Sequence, residues 1–279
     1  MNMYQRLNVY FKEMFPLQRF IPYAAITFLG LYFSTQAVLG VDVFIIGYPT
    51  VIGFITLFPL SLLMRIFDEF KDLEVDRVLF PHRAVARGAV HTSDLKWLGI
   101  CLVILMIILN ISLDWVIMFF IAALAFGFLT FKWFFIKDIL SHNLLLALVT
   151  HQPMGLLVNA YVAAIAMFVT ANALGTFDTW VAAVVFAYFF PVTAWEIARK
   201  IRAPEQETEY VTYSKILGPR FACCLPLLFT SLSGILLLLI NARLHLALWA
   251  TLVDWSDFTH LYLHLPAFYC HLNTRDQYY

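Results

Sequence analysis

The amino-acid sequence predicts an all-α fold, a polytopic membrane bundle of about eight transmembrane helices, with seven to nine as the range. Three observations predict it. Of 279 residues, 62% are hydrophobic and 13% charged, a balance too apolar for a soluble domain of this length. The charged residues fall in bunches, leaving charge-free runs long enough to cross about 30 Å of hydrocarbon as helices. The basic residues gather in every second loop, the pattern expected when Lys and Arg are enriched on the cytoplasmic side. Formal net charge is zero, so no nucleic acid partner is expected.

No Asp, Glu, Lys or Arg occurs between Arg19 and Asp42, or between Asp42 and Arg65; these are spans one and two. Spans three to seven are the runs Lys96 to Asp114, Asp114 to Lys132, Asp138 to Asp178, Asp178 to Glu196, and Arg220 to Arg243. An eighth follows Arg243, interrupted by Asp254 and Asp257. The fifth run is long enough for two short spans. Two would put the Arg199 cluster outside, so a single helix from about His142 to Thr170 is expected. Before span one, Tyr4, Leu7, Phe11, Met14 and Phe15 mark an amphipathic arm expected to lie in the membrane interface.

The basic residues then set the orientation. Arg6, Lys12 and Arg19 lie in the arm, and Arg65, Lys71, Arg77, Arg83, Arg87 and Lys96 follow span two. Lys132 and Lys137 follow span four, and Arg199, Lys200, Arg202, Lys215 and Arg220 follow span six. The loops at Asp42, Asp114 and Asp178 have none, and Arg243 alone opposes the pattern. The expectation is a multi-pass protein of a bacterial inner membrane with its N-terminus in the cytoplasm. Cys101, Cys223, Cys224 and Cys270 lack metal-ligand spacing and are read as packing residues. One domain, residues 1–279, is expected.

Span two ends in Asp68, Asp72 and Asp76, which share one face if the helix continues. Like charges at that spacing repel by a few tenths of a kcal/mol per pair, roughly, so the row calls for a compensating cation. On a soluble helix, Lys71 and Arg77 would supply it as a solvated face. At the mouth of a transmembrane helix carboxylates are costly and usually functional. Hard oxygen ligands suit magnesium, which is often shared with substrate phosphates, and Arg77, Arg83 and Arg87 can hold the rest of a phosphate.

From Asp68 to Val90 the chain reads DEFKDLEVDRVLFPHRAVARGAV. This resembles the UbiA superfamily of intramembrane prenyltransferases, whose second helix ends in N-x3-D-x3-D followed by DR-x-x-x-P-x-R-P-x-x-x-G-x-V. Asp68 stands where the family has Asn; Arg77, Pro81, Arg83 and Gly88 fit the trailing segment. The family's second motif is a D-x3-D row and then G-V-x-T-L-P-x-x-x-G. Here Glu196 stands at the first Asp, Lys200 replaces a carboxylate, and Val211, Thr212, Leu217 and Gly218 fit the second part. Pro204 is expected to end this helix, leaving Glu205, Glu207 and Glu209 in the loop. Two readings stay open: the loop glutamates replace the missing ligand, or Lys200 contacts phosphate directly. By the charge map both acidic ends share one side and can converge on a central cavity.

The resemblance implies an isoprenyl diphosphate substrate, with its tail among the helices. Asp68, Asp72, Asp76 and Glu196, with Glu205, would hold Mg2+, while Arg19, Arg77, Arg83, Lys132, Lys137 and Lys200 would bind diphosphate oxygens. The acceptor would be aromatic. His151, Gly155 and Asn159 share a face of span five and form a polar stripe for it, with Pro153 able to bend the helix. Neutral packing of His151 between helices is the plainer alternative. The 27 Phe suit lipid contact, packing and stabilisation of an allylic cation alike. Two other functions remain in view: a terpene cyclase of the same superfamily, needing no acceptor, and a cation-binding transporter. The transporter predicts ionisable residues near mid-bilayer, whereas these sit at helix ends. The His260 and His264 pair lacks a third ligand and is read as coincidence.

Overall fold

The computed structural model describes residues 1–170, 178–207 and 210–246. Among them there is no β-strand. An N-terminal helix α1 (Met3–Glu13) is followed by α2 (Leu17–Val38), α3 (Tyr48–Lys71), α4 (Leu73–Leu79) and α5 (Thr92–Asn110). Next come α6 (Ile117–Phe131), α7 (Lys137–Ser141), α8 (Leu144–His151), α9 (Pro153–Val169) and α10 (Thr179–Ala198). The short α11 (Tyr213–Leu217) and the long α12 (Pro219–Arg243) end the described chain.

Among the described residues, six helical segments are long and apolar enough to cross a membrane: α3, α5, α6 with the turn before it, α8 with α9, α10 and α12. The chain is accordingly a multi-pass integral membrane protein, and these six are the expected spans two to seven. Expected span one exists as the 22-residue α2 but is not among the six. Ser34, Thr35 and Gln36 lower its apolar character near its C-terminal end. The expected eighth span, with Asp254, Asp257, His260, His264 and Cys270, lies outside the described residues. So does Glu209.

Span five forms as expected from Leu144 to Val169, but in two segments. The N–H of Gln152 still bonds to the Leu148 carbonyl at 3.0 Å. Pro153 has no N–H to continue the ladder, and a three-residue bond from Gly155 to Gln152 (3.0 Å) tightens the join.

The described residues divide into two compact units. The first holds Met1–Phe33, Val43–Lys137 and the part of α9 from Ala160 on. A polar node ties its interior: Asn110 donates to Thr56 Oγ1 (2.8 Å) and accepts from the Tyr161 hydroxyl (2.6 Å), joining α5, α3 and α9. In lipid-facing bundles such ties are worth about 0.6 kcal/mol each on average, and they set register as much as stability. Gly53 lets α3 approach α9 closely, since a Cβ there would run into Ile165.

The second unit holds Ser34–Asp42, Asp138–Asn159 and the described residues from Asp178 on. Helices α10 and α12 pack along their length, with Ser233 donating to the Ala187 carbonyl at 2.7 Å. An open groove of about 430 Å³ runs along α12 beside Cys224, Leu228 and Ser231, and none of its lining residues is a predicted site residue.

The amphipathic arm is a helix, begun by a capping box between Asn2 and Gln5. Its apolar face is covered by protein: Tyr10 and Phe15 are fully buried beside Leu62, Ile66, Ala84 and Leu95, while Tyr4 remains exposed. Two forked ion pairs pin it. Arg6 grips Asp94 (2.6 and 2.9 Å), and Arg87 grips Glu13 (2.8 Å twice).

Candidate functional site

The site is built from the last turn of α3. The backbone N–H of Asp72 bonds to the Asp68 carbonyl (2.9 Å), and that of Asp76 to the Asp72 carbonyl (2.8 Å), so helical connectivity is retained along the acidic row. The helix nevertheless breaks at Asp72, whose ψ of 2° leaves the α region, and α4 restarts at Leu73. A continuous single face through Asp76 is thereby replaced by two segments. The three carboxylates end in different surroundings: Asp68 is 53% exposed, Asp72 is half-buried, and Asp76 is buried.

Asp76 is held by Arg83, one of whose terminal nitrogens donates to both carboxylate oxygens at 2.7 and 2.8 Å. Arg83 also lies 4.3 Å from the Phe80 ring. Arg87, on the same loop, donates to Glu13 and to the His82 carbonyl (2.6 Å). Arg77 is exposed and has no ion pair among the described residues.

Glu69 escaped the sequence reading. It is only 2% exposed, with Oε1 lying 2.6 Å from Arg65 Nη2 in a geometry that gives that oxygen no directed hydrogen bond. The signal was present as an i, i+4 Arg/Glu pair. Above it sits Tyr10, whose hydroxyl is buried without a hydrogen-bond partner meeting standard geometry. Burial pushes the Tyr10 phenol well above its ordinary pKa, the Glu69 carboxylate pushes the same way, and Arg65 opposes both.

The C-terminal end of α6 forms the other wall. Phe131 stacks on Phe67 (4.6 Å between centroids) and meets Phe70 edge-on at 6.4 Å. Lys132 therefore belongs to the same end of the first unit as the acidic row; its ammonium stands 4.8 Å from the Phe131 ring. Trp133, Phe134 and Phe135 then take φ of 52°, 51° and 61°. Three bulky residues in the left-handed region cost about 1–3 kcal/mol each, a strain that persists only where packing over-determines the turn. Here Trp133 is turned beneath the Lys71 ammonium, 4.3 Å from ring centre to Nζ. Lys137 follows, exposed, at the start of α7.

Among protein-family models, curated proteins and solved structures, none matches this chain. The chemistry of the site is read from its own residues.

No three His, Cys, Asp or Glu side chains among the described residues stand together as a metal cage. Magnesium needs none, because it is bound through one or two carboxylates, keeps several waters and takes its remaining ligands from phosphate. Asp68 and Asp72, exposed and half-buried one turn apart, fit that donor set. Asp76 is committed to Arg83.

The second acidic row lies in the second unit and differs from expectation. Helix α10 ends at Ala198, before Pro204, which instead opens a 3-10 turn Pro204–Gln206. Lys200 is thus off the helix that carries Glu196. Glu196 accepts from its own i+3 neighbour Arg199, Nε at 2.7 Å and Nη2 at 2.6 Å. Glu207 accepts from Thr212 (2.7 and 2.8 Å) and Ser214 (2.5 Å), closing the loop, while Glu205 is exposed. Lys200 and Arg202 each lie about 6 Å from the Tyr210 ring, at 6.0 and 5.9 Å. Tyr213 is pushed up to about 12 by burial and then by the Glu196 carboxylate.

The polar stripe of span five is also in the second unit. Asn159 donates to the Val185 carbonyl (3.2 Å), Gln152 accepts from Thr193 (3.0 Å), and His151 Nδ1 lies 2.8 Å from the Ala147 carbonyl. Arg19 falls in the first turn of α2, and its side chain is outside the described residues.

Proposed function

We propose that this chain is a magnesium-dependent prenyltransferase of UbiA type, acting at the cytoplasmic face of a bacterial inner membrane. The observation that supports it most is the end of α3, where Asp68 and Asp72 stand beside an arginine-bearing loop and the Phe131–Lys132 end of α6. Carboxylates for a divalent ion, cations for phosphate and ring faces for a tail are the three needs of an isoprenyl diphosphate.

Asp68 and Asp72 would hold magnesium, which when bound supplies neutralisation of the leaving diphosphate. Arg77, Lys132 and Lys137 offer donors for the outer oxygens. Asp76 holds Arg83, the first of the loop's two arginines, in a fixed position. The allylic C–O bond breaks with its electron pair leaving on the diphosphate. Ring faces such as Phe67 and Phe131 favour the resulting cation. An aromatic acceptor then forms the new C–C bond and loses a ring proton. The proposal assigns Glu196, Glu205 and Lys200 the same kind of work, carboxylate for metal and ammonium for phosphate, and keeps His151 and Asn159 for the acceptor. Arg19 keeps a phosphate role by position in α2.

The test is product analysis. Membranes containing the chain, supplied with a panel of prenyl diphosphates and phenolic acids, are expected to yield a prenylated phenol with magnesium and none with a chelator. A cyclic hydrocarbon or alcohol formed without acceptor would turn the reading to a terpene cyclase. Release of diphosphate with neither product, or no turnover of any donor, would refute it.

A further inference from the structure

The side chain of Lys71 is only 11% exposed, although it ends a helix at the mouth of a span. A nearly buried ammonium needs compensation. Its partners include Asp68 Oδ1 at 4.0 Å and the Trp133 indole at 4.3 Å from ring centre to Nζ. The indole reaches that position through the strained left-handed run at Trp133, Phe134 and Phe135. Such strain marks a conformation that the surroundings hold in place, and at functional sites it is commonly part of the device. The single positive charge of Lys71 thus stands beside Asp68, one of the two carboxylates that a divalent ion would use.

We propose that Lys71 is the resident counter-cation of the acidic row, parked on Trp133, and that a divalent ion binds Asp68 and Asp72 by displacing it. The inference rests on the reading of this row as a magnesium site and adds what sets the affinity there. A divalent ion and an ammonium repel each other, so a carboxylate that takes up the metal holds the amine less well. Asp68 then exchanges a weak, long ion pair for a metal bond. The Lys71 ammonium moves off the indole. Lys71 is therefore a positioning residue that tunes metal uptake, and Trp133 is its dock and its reporter.

The experiment uses the full chain in detergent micelles, titrated with magnesium chloride alone. Binding is followed by calorimetry, and the Trp133 contribution to emission is isolated by subtracting a Trp133→Phe variant, since the chain has seven tryptophans. Lys71→Met is expected to bind magnesium about tenfold more tightly than the parent, within the usual range of coupling between sites. Lys71→Arg, which keeps the charge, is expected to hold the parental midpoint. In the parent, Trp133 emission is expected to rise with the calorimetric midpoint, because a protonated amine beside an indole quenches it. Equal midpoints in the parent and Lys71→Met, or Trp133 emission that stays constant through saturation, would overturn this inference and leave the magnesium site standing. No magnesium uptake by the parent would overturn both. Should Lys71→Met fail to fold, the emission titration of the parent decides alone.

Discussion

The ends of α3 and α10 carry the same kinds of residue and use them in opposite ways. At the end of α3 the acidic side chains recur every fourth position, buried Asp76 pairs with Arg83 seven residues on, and Lys71 stands between Asp68 and an aromatic ring. Asp68 stays more than half exposed, and Lys71 leans on Trp133 at 4.3 Å rather than closing on Asp68. At the end of α10 the helix stops two residues after Glu196, and the next side chain, Arg199, folds back onto it at 2.6 Å. The loop glutamate Glu207 is consumed by Thr212 and Ser214. How far a carboxylate is covered is decided by what stands three to seven residues away: the Asp68 side chain is 53% exposed and that of Glu196 31%.

The largest effect that would sharpen this contrast is expected at Asp72. Asp72→Ala should abolish magnesium-dependent product formation, at least about 10³-fold or about 4 kcal/mol in barrier, while the protein elutes and melts as the parent does. An active Asp72→Ala protein would remove the proposed ligand set.

Next in size is Arg83→Ala. Asp76 is buried, and stripping away its partner leaves an uncompensated carboxylate. Breaking such a pair costs about 3 kcal/mol, the low end of the usual range because Arg83 itself is partly exposed. Thermal unfolding should show the loss, and the double variant Arg83→Ala, Asp76→Ala should recover most of it. No recovery would mean that Arg83 acts through Phe80 and not through the carboxylate.

At the other end, Glu196→Gln is expected to lower turnover about tenfold or less, about 1.4 kcal/mol. Arg199→Ala should raise magnesium affinity if Glu196 serves as a ligand once released. A loss at Glu196 as deep as that at Asp72 would erase the difference between the two ends.

Much of this was legible before any coordinates. Charge-free runs gave six spanning segments in their right places, because hydrocarbon tolerates few unpaired charges and the signal is local. Pro153 was readable as a disturbance of span five for the same local reason. What the sequence hid was pairing across distance. Nothing in the row itself says that Asp76 turns to Arg83, or that Trp133 sits under Lys71 some sixty positions earlier, since both depend on how α4 and α6 pack on α3. The early stop of α10 was hidden too: Pro204 was the visible breaker, yet the α-helix ends at Ala198, where the N–H groups of Lys200 and Ile201 turn to carbonyls three residues back. The arm was expected in the membrane interface, yet Phe15 is covered by protein, because an apolar face does not announce its partner.

The smallest effect concerns the arm that covers the α3 end. Helix α1 is held over it by Glu13 with Arg87, both partly exposed, and by the buried Tyr10. The hydrogen bond from Arg87 lowers the Glu13 pKa. Its stabilisation is therefore complete above the ordinary glutamate value of about 4.3 and is lost as pH falls through the depressed folded value. Tyr10 has the opposite sign. Its raised pKa makes its contribution complete below the ordinary tyrosine value of about 10, and the contribution is lost as pH climbs from there through the raised value. Docking of α1 should thus fall off at both ends of the pH scale. A fluorophore on Lys12→Cys, in a background without other cysteines, should report this as an anisotropy plateau with an acid and an alkaline limb. Glu13→Gln should weaken docking by at most about 1 kcal/mol and shrink the acid limb to the part carried by Asp94, whose carboxylate Arg6 likewise lowers, and Tyr10→Phe should remove the alkaline limb. An acid limb unchanged by Glu13→Gln would place the acid-sensitive grip on α1 in the Arg6 and Asp94 pair alone.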